Sequence, residues 1–177
     1  MASSLSSRRL FFALGLSNEA KSSLAHWLQH HVIADKAFTQ PRNWHLTLLF
    51  LGNTPLNTEA ALIKEVRALQ LRKFNLKVAD IDWWPSNGIF HLRPSSPPNA
   101  LFTLHYGLKE IAQKHDIEDP HRRYRPHITL ARNCKAMPTV AQPMPDFDMQ
   151  VHRFTLFEST SDEQGLVYRP IEHFTLY

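Results

Sequence analysis

Two short segments of the sequence combine residue types that can carry acid–base catalysis. Residues 45–48 read His-Leu-Thr-Leu, and residues 127–130 read His-Ile-Thr-Leu. Because successive side chains of a strand point to opposite faces, the histidine and the threonine of each segment share one face. Aliphatic residues occupy the other face, and the same alternation predicts that Phe50 points away from His45. Each segment therefore presents one imidazole and one hydroxyl on an element whose back is anchored by apolar packing.

Two histidines and two threonines arranged in this way can catalyse in-line displacement at phosphorus. Imidazole titrates near neutral pH, so His45 and His127 can serve as one acid and one base, each contributing about 10²–10⁴ in rate. The hydroxyls of Thr47 and Thr129 can donate hydrogen bonds to the non-bridging oxygens of the phosphate. The two motifs are nearly equivalent, so the residues themselves leave open which histidine is the acid.

The sequence offers little support for other kinds of site. A single His-x-Thr on a strand is common on solvated sheet faces, and the recurrence in both halves is what favours catalysis. Each motif brings one histidine and no carboxylate, which does not make a cluster of metal ligands. The only cysteine, Cys134, excludes an internal disulfide and a zinc site of several thiolates. Five widely separated glycines exclude a glycine-rich phosphate cradle. Because the sequence has neither a cluster of metal ligands nor such a cradle, we expect neither a metal nor a cofactor.

The elements that must position these motifs alternate between strands and helices. At about 150 residues per domain, a chain of 177 residues predicts one domain, or two lobes that share a core. Helices are predicted from a cap at Ser17, from a cap at Asn57 or Thr58, and from about Asn99. Apolar alternation predicts strands at residues 9–14, 44–52, 74–81, 89–93, 126–132, 150–158, 165–169 and 173–177. This order predicts an α+β fold, with an irregular proline-rich loop at residues 138–145.

Several residues close to the second motif are candidates for substrate binding. Arg132 reaches the same face as His127 only if the strand bends or ends there, so a phosphate contact and an ordinary surface arginine both stay open. Arg125 ends a basic run at residues 122–125, which either guides an RNA backbone or is a solvated loop. Tyr124 within that run could stack on a base. The nine histidines outside the two motifs are interpreted as non-catalytic.

The charge balance limits the class of partner, and the apolar pattern limits the cellular compartment. A net charge of +4 with neutral histidines is compatible with a polyanionic partner such as RNA, and many proteins without such a partner share it. No apolar run approaches the roughly 18 residues needed to span a bilayer, and the apolar stretch within residues 1–16 is too short for a signal peptide. With a single thiol, these features predict a cytoplasmic protein with no membrane partner.

These motifs and their flanks resemble one known family. The segments at residues 45–48 and 127–130 look like the paired His-x-Thr/Ser-x motifs of the two-histidine (2H) phosphoesterase superfamily. The strings RLFFAL, WHLTLLFLG, RPHITLAR and VHRFTLFES are similar, in order and spacing, to its bacterial and archaeal branch. That branch contains the RNA 2′,3′-cyclic phosphodiesterases, also called 2′-5′ RNA ligases. The resemblance extends from Arg9 to Tyr177, which is essentially the whole chain.

The resemblance implies a fold and a reaction. The fold is a single bilobal α+β domain over residues 1–177, with two mainly antiparallel sheets related by a pseudo-two-fold axis, a central cleft between them and helices on the outside. The reaction is metal-independent hydrolysis of an RNA or nucleoside 2′,3′-cyclic phosphate to a 2′-phosphomonoester. By this resemblance His45 is the proton donor to the departing 3′-oxygen, and His127 is the base that activates water. In the reverse direction, with a 5′-hydroxyl in place of water, the same pair would form a 2′-5′ linkage.

Two functions of other classes stay open at this point. A non-catalytic single-stranded RNA-binding module would use the basic run and the aromatic residues, although binding alone does not need a second histidine. A metal-dependent hydrolase would lose activity on chelation, although no cluster of ligands supports it. We expect a monomer, because the cleft is built within one chain.

Overall fold

Three α-helices and ten β-strands form within residues 6–177, the part of the chain that this computed structural model describes. The helices are α1 (Asn18–His31), α2 (Leu56–Arg67) and α3 (Asn99–Gln113), and one 3₁₀ turn spans Pro41–Asn43. The strands are β1 (Ser7–Gly15), β2 (Val32–Ile33), β3 (His45–Pro55), β4 (Phe74–Trp84), β5 (Ile89–Pro94), β6 (Ile128–Ala131), β7 (Thr139–Val140), β8 (Phe147–Val151), β9 (Arg153–Asp162) and β10 (Gly165–Thr175). Residues 1–5 lie outside the described residues. They belong to the expected domain and to the segment at residues 1–16 that was considered as a signal peptide.

Eight of these strands form one sheet in the order β10-β9-β1-β3-β6-β5-β4-β8, and every neighbouring pair is antiparallel. The predicted α+β class and the antiparallel pairing are confirmed. The two expected sheets are joined at the centre into one, because β3 and β6 share the Cα pair Leu46–Ile128. Each half contributes four strands to the joined sheet.

The two halves of the sheet repeat one arrangement. The units β1–α1–β3 and β5–α3–β6 each consist of two antiparallel neighbouring strands separated by a helix along the chain. They occupy corresponding positions on either side of the β3–β6 junction. This correspondence is the predicted pseudo-two-fold relationship, and it puts β3 and β6 side by side at the centre.

The face of the central strands opposite the histidines is buried in the main core. Leu46, Leu48, Ile128 and Leu130 are each at most 1% exposed. The apolar stripes of the helices join the same core, with Trp27 of α1 and Leu104 of α3 among the members. None of the helices in the described residues is both long and apolar enough to cross a membrane.

The helix starts were predicted with mixed success. Ser17 caps α1 as predicted, because its side-chain oxygen accepts a hydrogen bond from the amide of Ala20 at 3.1 Å. The predicted cap of α2 at Asn57 or Thr58 is wrong. That helix follows β3 directly at Leu56, and the Leu56 amide is satisfied at 3.2 Å by the carbonyl of Ser6 instead of by a capping side chain.

The C-terminal third differs from its predicted pattern in three places. The single strand predicted at 150–158 is divided at His152 between β8 and β9, which lie toward opposite edges of the large sheet. The proline-rich stretch was expected to be irregular, but it contains β7, which pairs with β2 in a separate two-stranded sheet. The predicted strands at 165–169 and 173–177 form one strand, β10. The register of β10 against β9 shifts between Pro170 and Glu172. This irregularity accommodates the proline, which has no amide hydrogen to donate to the neighbouring strand.

Candidate active site

The pairing of Leu46 with Ile128 determines which motif residues meet. In an antiparallel pair, the residues that flank this position also lie opposite each other and point to the other face of the sheet. Each histidine therefore lies across from the threonine of the other motif, about 4.5–5.5 Å away between Cβ atoms. The two histidines are diagonal neighbours across the strand pair, and in regular antiparallel pairing such residues are about 7–8 Å apart. The four side chains that share this face are His45, Thr47, His127 and Thr129.

Both motif histidines are held in the same tautomer by the backbone. The Nδ1–H of His45 donates to the carbonyl of Asn43 at 2.7 Å, and the Nδ1–H of His127 donates to the carbonyl of Arg125 at 2.7 Å. A carbonyl can only accept, so in the neutral ring the proton is on Nδ1 and the lone pair is on Nε2. The Nε2 of His45 lies 2.9 Å from the hydroxyl of Thr47. Each neutral imidazole thus carries its lone pair on Nε2, and in the free protein the Nε2 of His45 accepts a hydrogen bond from the Thr47 hydroxyl.

Burial lowers the pKa of both motif histidines. Desolvation is the main cause for His45, whose pKa is about 4, and the positive charge of Arg132 acts in the same direction. Desolvation also lowers the pKa of His127 to about 4, and His91, Arg132 and His45 add to this effect. The backbone hydrogen bonds oppose these shifts in both cases. At neutral pH, both rings are therefore neutral bases that need a nearby negative charge to become protonated.

Different aromatic side chains surround the two imidazoles. The His45 ring has its centre 5.0 Å from that of Phe11 and 4.9 Å from that of Tyr168. The His127 ring lies 4.7 Å from Trp84 and 5.4 Å from His91. These contacts supply the low-dielectric surroundings behind the lowered pKa values, and they make the two motifs unequal although their own residues are nearly the same.

The four motif residues line a cleft of about 810 Å³. Its walls also include the predicted binding residues Arg132, Arg125 and Tyr124, so the structure brings every sequence-predicted site residue to one cleft. A smaller cavity of about 220 Å³ adjoins it and shares His45, Thr129 and Arg132 with it. Arg132 reaches the cleft because β6 ends one residue before it, which is the condition that the sequence left open.

The basic run contributes Arg122, Arg123 and Arg125 to one wall of the cleft. The guanidinium carbon of Arg125 lies 5.6 Å from the centre of the Trp84 ring, within reach of a cation–π interaction. Tyr124 is placed differently from the stacking platform that the sequence suggested. One face of its ring is covered by His105 at 4.0 Å, and its hydroxyl donates to the Thr47 carbonyl at 3.0 Å. Contact of Tyr124 with substrate stays a prediction.

Sequence reasoning missed several residues of the cleft. Phe50 was expected to point away from His45, but it lines the same cleft. The register of β1 against β3 shifts at two places, so the simple alternation of side chains is interrupted. His91 and His105 were set aside with the other histidines, yet His91 contacts His127 and His105 lines the cleft. Long-range contacts place both, and no local signal in the sequence marks them.

A third His-x-Thr sequence shows that the motif alone does not make a site. Residues 173–175 read His-Phe-Thr on β10. His173 does not line the cleft, and its Nδ1 lies 2.8 Å from the hydroxyl of Thr155 on β9. Only the two copies on β3 and at the start of β6 converge. Within residues 6–177, no three His, Cys, Asp or Glu side chains are grouped so that they could hold a metal ion.

Comparison with known families agrees with the two-fold arrangement of the site. The sequence model of the family described as LigT like Phosphoesterase matches this chain twice, at residues 14–91 and at residues 92–168. Together the matches cover most of the chain, and each contains one of the converging motifs. The chain belongs to the LigT-like phosphoesterase family. This membership confirms the 2H phosphoesterase resemblance that the paired motifs carried.

Two relatives of this LigT-like phosphoesterase are similar to it along at least nine-tenths of their length. The RNA 2′,3′-cyclic phosphodiesterase of Escherichia coli is 29% identical over 170 residues, which cover 96% of this chain and 97% of the relative. The RNA 2′,3′-cyclic phosphodiesterase of Thermus thermophilus is 28% identical over 180 residues, which cover 95% and 90%. The crystal structure of E. coli LigT complexed with 3′-AMP superposes with a TM-score of 0.89 at 28% identity, covering 97% of this chain and 99% of that one.

Proposed function

We propose that this LigT-like phosphoesterase hydrolyses 2′,3′-cyclic phosphates of RNA or nucleosides to 2′-phosphomonoesters by metal-independent acid–base catalysis. The observation that carries the proposal is the convergence of two His–Thr pairs on one sheet face, with both imidazoles in the Nδ1–H tautomer. Relatives of similar length in two bacteria are named RNA 2′,3′-cyclic phosphodiesterases, which supports the same substrate class.

The proposed reaction uses the two histidines on opposite sides of the phosphorus. The Nε2 of His127 removes a proton from water as the water oxygen forms a bond to phosphorus. The bond between phosphorus and the 3′-oxygen breaks, and this oxygen takes a proton from the Nε2 of His45. The products are a 2′-phosphomonoester and a free 3′-hydroxyl. The assignment of His45 as the acid rests on the family resemblance, because both rings have the same tautomer and similarly lowered pKa values.

The remaining site residues stabilise the charge that develops on the phosphoryl oxygens. The hydroxyls of Thr47 and Thr129 point to the same face as the imidazoles and donate to the non-bridging oxygens. Arg132, which lines both cavities beside the motifs, adds a positive charge. A negative phosphate between the rings also favours the imidazolium that the acid requires, which offsets the lowered pKa of His45.

The walls of the cleft fit an RNA end better than an isolated phosphate. Arg125, with its neighbours in the basic run, can contact a backbone phosphate, and the Trp84 ring beside it offers an aromatic surface. If a 5′-hydroxyl of a second RNA takes the place of water, its oxygen forms the bond to phosphorus, the bond to the 3′-oxygen breaks as before, and a 2′-5′ linkage results at the same site. Contact of the substrate with Tyr124 belongs to the same proposal.

Three further properties follow from the proposal. The cleft is lined by residues of one chain over both halves, so a single domain that acts as a monomer is sufficient. The free, buried thiol of Cys134 is compatible with a reducing cytoplasm. Neither a cofactor nor a metal is needed for the steps written above.

The test is turnover of RNA that ends in a 2′,3′-cyclic phosphate, in the presence of EDTA. We expect a 2′-phosphate product, and we expect His45→Ala and His127→Ala each to remove turnover while the folded structure is kept. His152→Ala is the matched control, because the Nδ1 of His152 makes the same type of bond to a carbonyl two residues earlier, at 3.0 Å, but His152 does not line the cleft.

Each alternative function has its own outcome in this experiment. Salt-sensitive RNA binding without product would identify a non-catalytic RNA-binding module. Activity that EDTA removes and a divalent cation restores would identify a metal-dependent hydrolase. Full turnover by the double variant His45→Ala/His127→Ala would overturn the proposed catalytic pair, and a 3′-phosphate product would overturn the leaving group.

A further inference from the structure

The first motif is followed at once by an irregularity in its strand. Along β3, the Cα register against β1 passes from the pair Ala13–Thr47 to the pair Phe12–Leu49, so Leu48 has no partner on β1. On the other side, the pairing of β3 with β6 consists of the Leu46–Ile128 pair. Thr47 therefore lies between the single residue pair that joins β3 to β6 and the bulge against β1. At such a position, strand pairing alone constrains the backbone only weakly.

Two side chains from elsewhere in the chain bind the backbone at this bulge. The hydroxyl of Tyr124 donates to the carbonyl of Thr47 at 3.0 Å. The Nδ1–H of His105, on α3, donates to the carbonyl of Leu48 at 2.7 Å. Two consecutive carbonyls, beginning with that of a motif residue, are thus held by side chains that are separated from them by more than fifty residues.

The two donors form one packed unit, which we call the bulge clamp (Tyr124 and His105). Their rings are stacked, with centres 4.0 Å apart and planes 4° from parallel. His105 is 2% exposed, and its Nε2 lies 3.9 Å from a carboxylate oxygen of Asp119. Burial raises the pKa of Tyr124, so its hydroxyl keeps its proton at neutral pH. Burial lowers the pKa of His105, so its ring is neutral at that pH, and its one N–H is on Nδ1 because the Leu48 carbonyl can only accept.

The second motif is followed by the same kind of bulge, but that bulge is held differently. Along β6, the Cα register against β5 passes from the pair His91–Thr129 to the pair Phe90–Ala131, so Leu130 has no partner on β5. The carbonyl of Leu130 accepts a hydrogen bond from the backbone amide of Thr39 at 2.7 Å, whereas the corresponding carbonyl of Leu48 accepts from the side chain of His105. Side chains from α3 and from the basic run thus hold the first bulge, and this role of Tyr124 and His105 is not predicted by the near-symmetry of the motifs.

We propose that Tyr124 and His105 are positioning residues that fix the backbone of Thr47 and so aim its hydroxyl at the reacting phosphate. This inference rests on the proposed function, in which the Thr47 hydroxyl donates to a phosphoryl oxygen. A hydroxyl displaced by about 1 Å loses a large part of its effect, which can reach about 10² in rate. In this role the clamp acts through Thr47, and the role is separate from the proposed contact of the Tyr124 ring with the substrate.

The variant Tyr124→Phe tests the clamp with the least disturbance, because it keeps the ring and its stacking and removes only the hydroxyl. We expect kcat with a 2′,3′-cyclic nucleotide to fall roughly tenfold, with a smaller change in KM. Tyr106→Phe is the matched control, since Tyr106 is on the same helix as His105, is 54% exposed and loses the same atom. It should keep wild-type kcat.

A double-mutant cycle with Thr47→Val decides whether Tyr124 acts through Thr47. Thr47→Val keeps the branched shape and removes the hydroxyl, and we expect it to lower kcat by about 10²–10³. If the clamp serves this hydroxyl, Tyr124→Phe causes no further loss in the Thr47→Val background. Losses that multiply, or a Tyr124→Phe variant with wild-type kcat, overturn the inference.

A second pair of variants tests the other half of the clamp. His105→Asn keeps a donor close to the position of Nδ1, whereas His105→Leu has none. We expect His105→Asn to keep more of the wild-type kcat than His105→Leu when both are folded by circular dichroism, and equal losses contradict the inference. Failure of the proposed function gives a separate result: Thr47→Val and His127→Ala would then retain full turnover, whatever Tyr124→Phe does.

Discussion

Leu46 faces Ile128 across the junction of the two half-sheets, and both side chains are fully buried. This pair forms the back of the active site, because the motif residues on either side of it point to the opposite face. The distance between the two imidazoles therefore depends on how well this pair is packed. Core packing and catalytic geometry are coupled at this one position.

Leu46→Ala should damage activity more than its effect on stability alone explains. Removal of a buried leucine side chain lowers the free energy of unfolding by about 2–5 kcal/mol. At residue 46, the cavity also lets β3 shift against β6, which separates the catalytic groups. Leu62→Ala on α2 is the control, because Leu62 is equally buried but lies in a helix. Urea unfolding and kcat measured on both variants test this, and equal losses of kcat at equal losses of stability would contradict it.

The pH optimum of kcat should lie above the pH optimum of kcat/KM. In the free protein, burial lowers the pKa of His45 and of His127 to about 4, so the protonated acid becomes scarce as the pH rises toward 7. The anionic phosphate favours the imidazolium and raises these pKa values in the complex. The profile of kcat/KM reports on the free enzyme and that of kcat on the complex. Measurement of both between pH 4 and pH 9 tests this order, and coincident optima would argue against it.

The variant Arg132→Gln gives a further check on the same electrostatics. The Arg132 charge is one of the causes that lower the pKa of both histidines, after desolvation. Its removal should move the alkaline limb of kcat/KM to higher pH while KM rises, since a phosphate contact is lost. A rate profile with an unmoved alkaline limb would show that Arg132 has no influence on the imidazoles.

The folded state should lose stability as the pH falls from about 6.5 toward about 4. In this window the unfolded chain protonates its histidines at their ordinary pKa, while His45 and His127, with their pKa lowered to about 4, stay neutral in the folded protein. The unfolded state then binds more protons, so lower pH favours it. The variant His45→Gln/His127→Gln should show a shallower decrease of the melting temperature over the same window. His152→Gln, outside the cleft, should leave the decrease as it is.

The basic wall of the cleft should matter for oligonucleotides more than for a cyclic mononucleotide. If Arg125 contacts a backbone phosphate, Arg125→Gln should reduce the slope of log(kcat/KM) against log salt by about 0.7 for an oligonucleotide. The slope for the cyclic mononucleotide should stay unchanged. Arg72→Gln, at an exposed position that does not line the cleft, is the control. Equal changes with both substrates would indicate that Arg125 acts on the reacting phosphate itself.

Local patterns in the sequence were sufficient for much of the fold. The cap at Ser17 and the starts of β4 at Phe74 and of β5 at Ile89 were predicted correctly, because each depends on interactions between residues close in the chain. The faces of His45 and Thr47 followed from alternation over only three residues. The same rule failed at Phe50, because one register shift of β3 against β1, between Thr47 and Leu49, lies between His45 and that residue.

By itself, the sequence determined that two imidazoles each share a strand face with a hydroxyl and have an apolar back. It could not exclude the third His-x-Thr at residues 173–175 on spacing alone, since the spacing there is the same. The tertiary structure decided that only the copies flanking Leu46 and Ile128 converge. It also brought Tyr124 to the carbonyl of Thr47 and His105 to the carbonyl of Leu48. Such contacts join residues far apart in the chain, and they arise from core packing, which short-range periodicity does not encode.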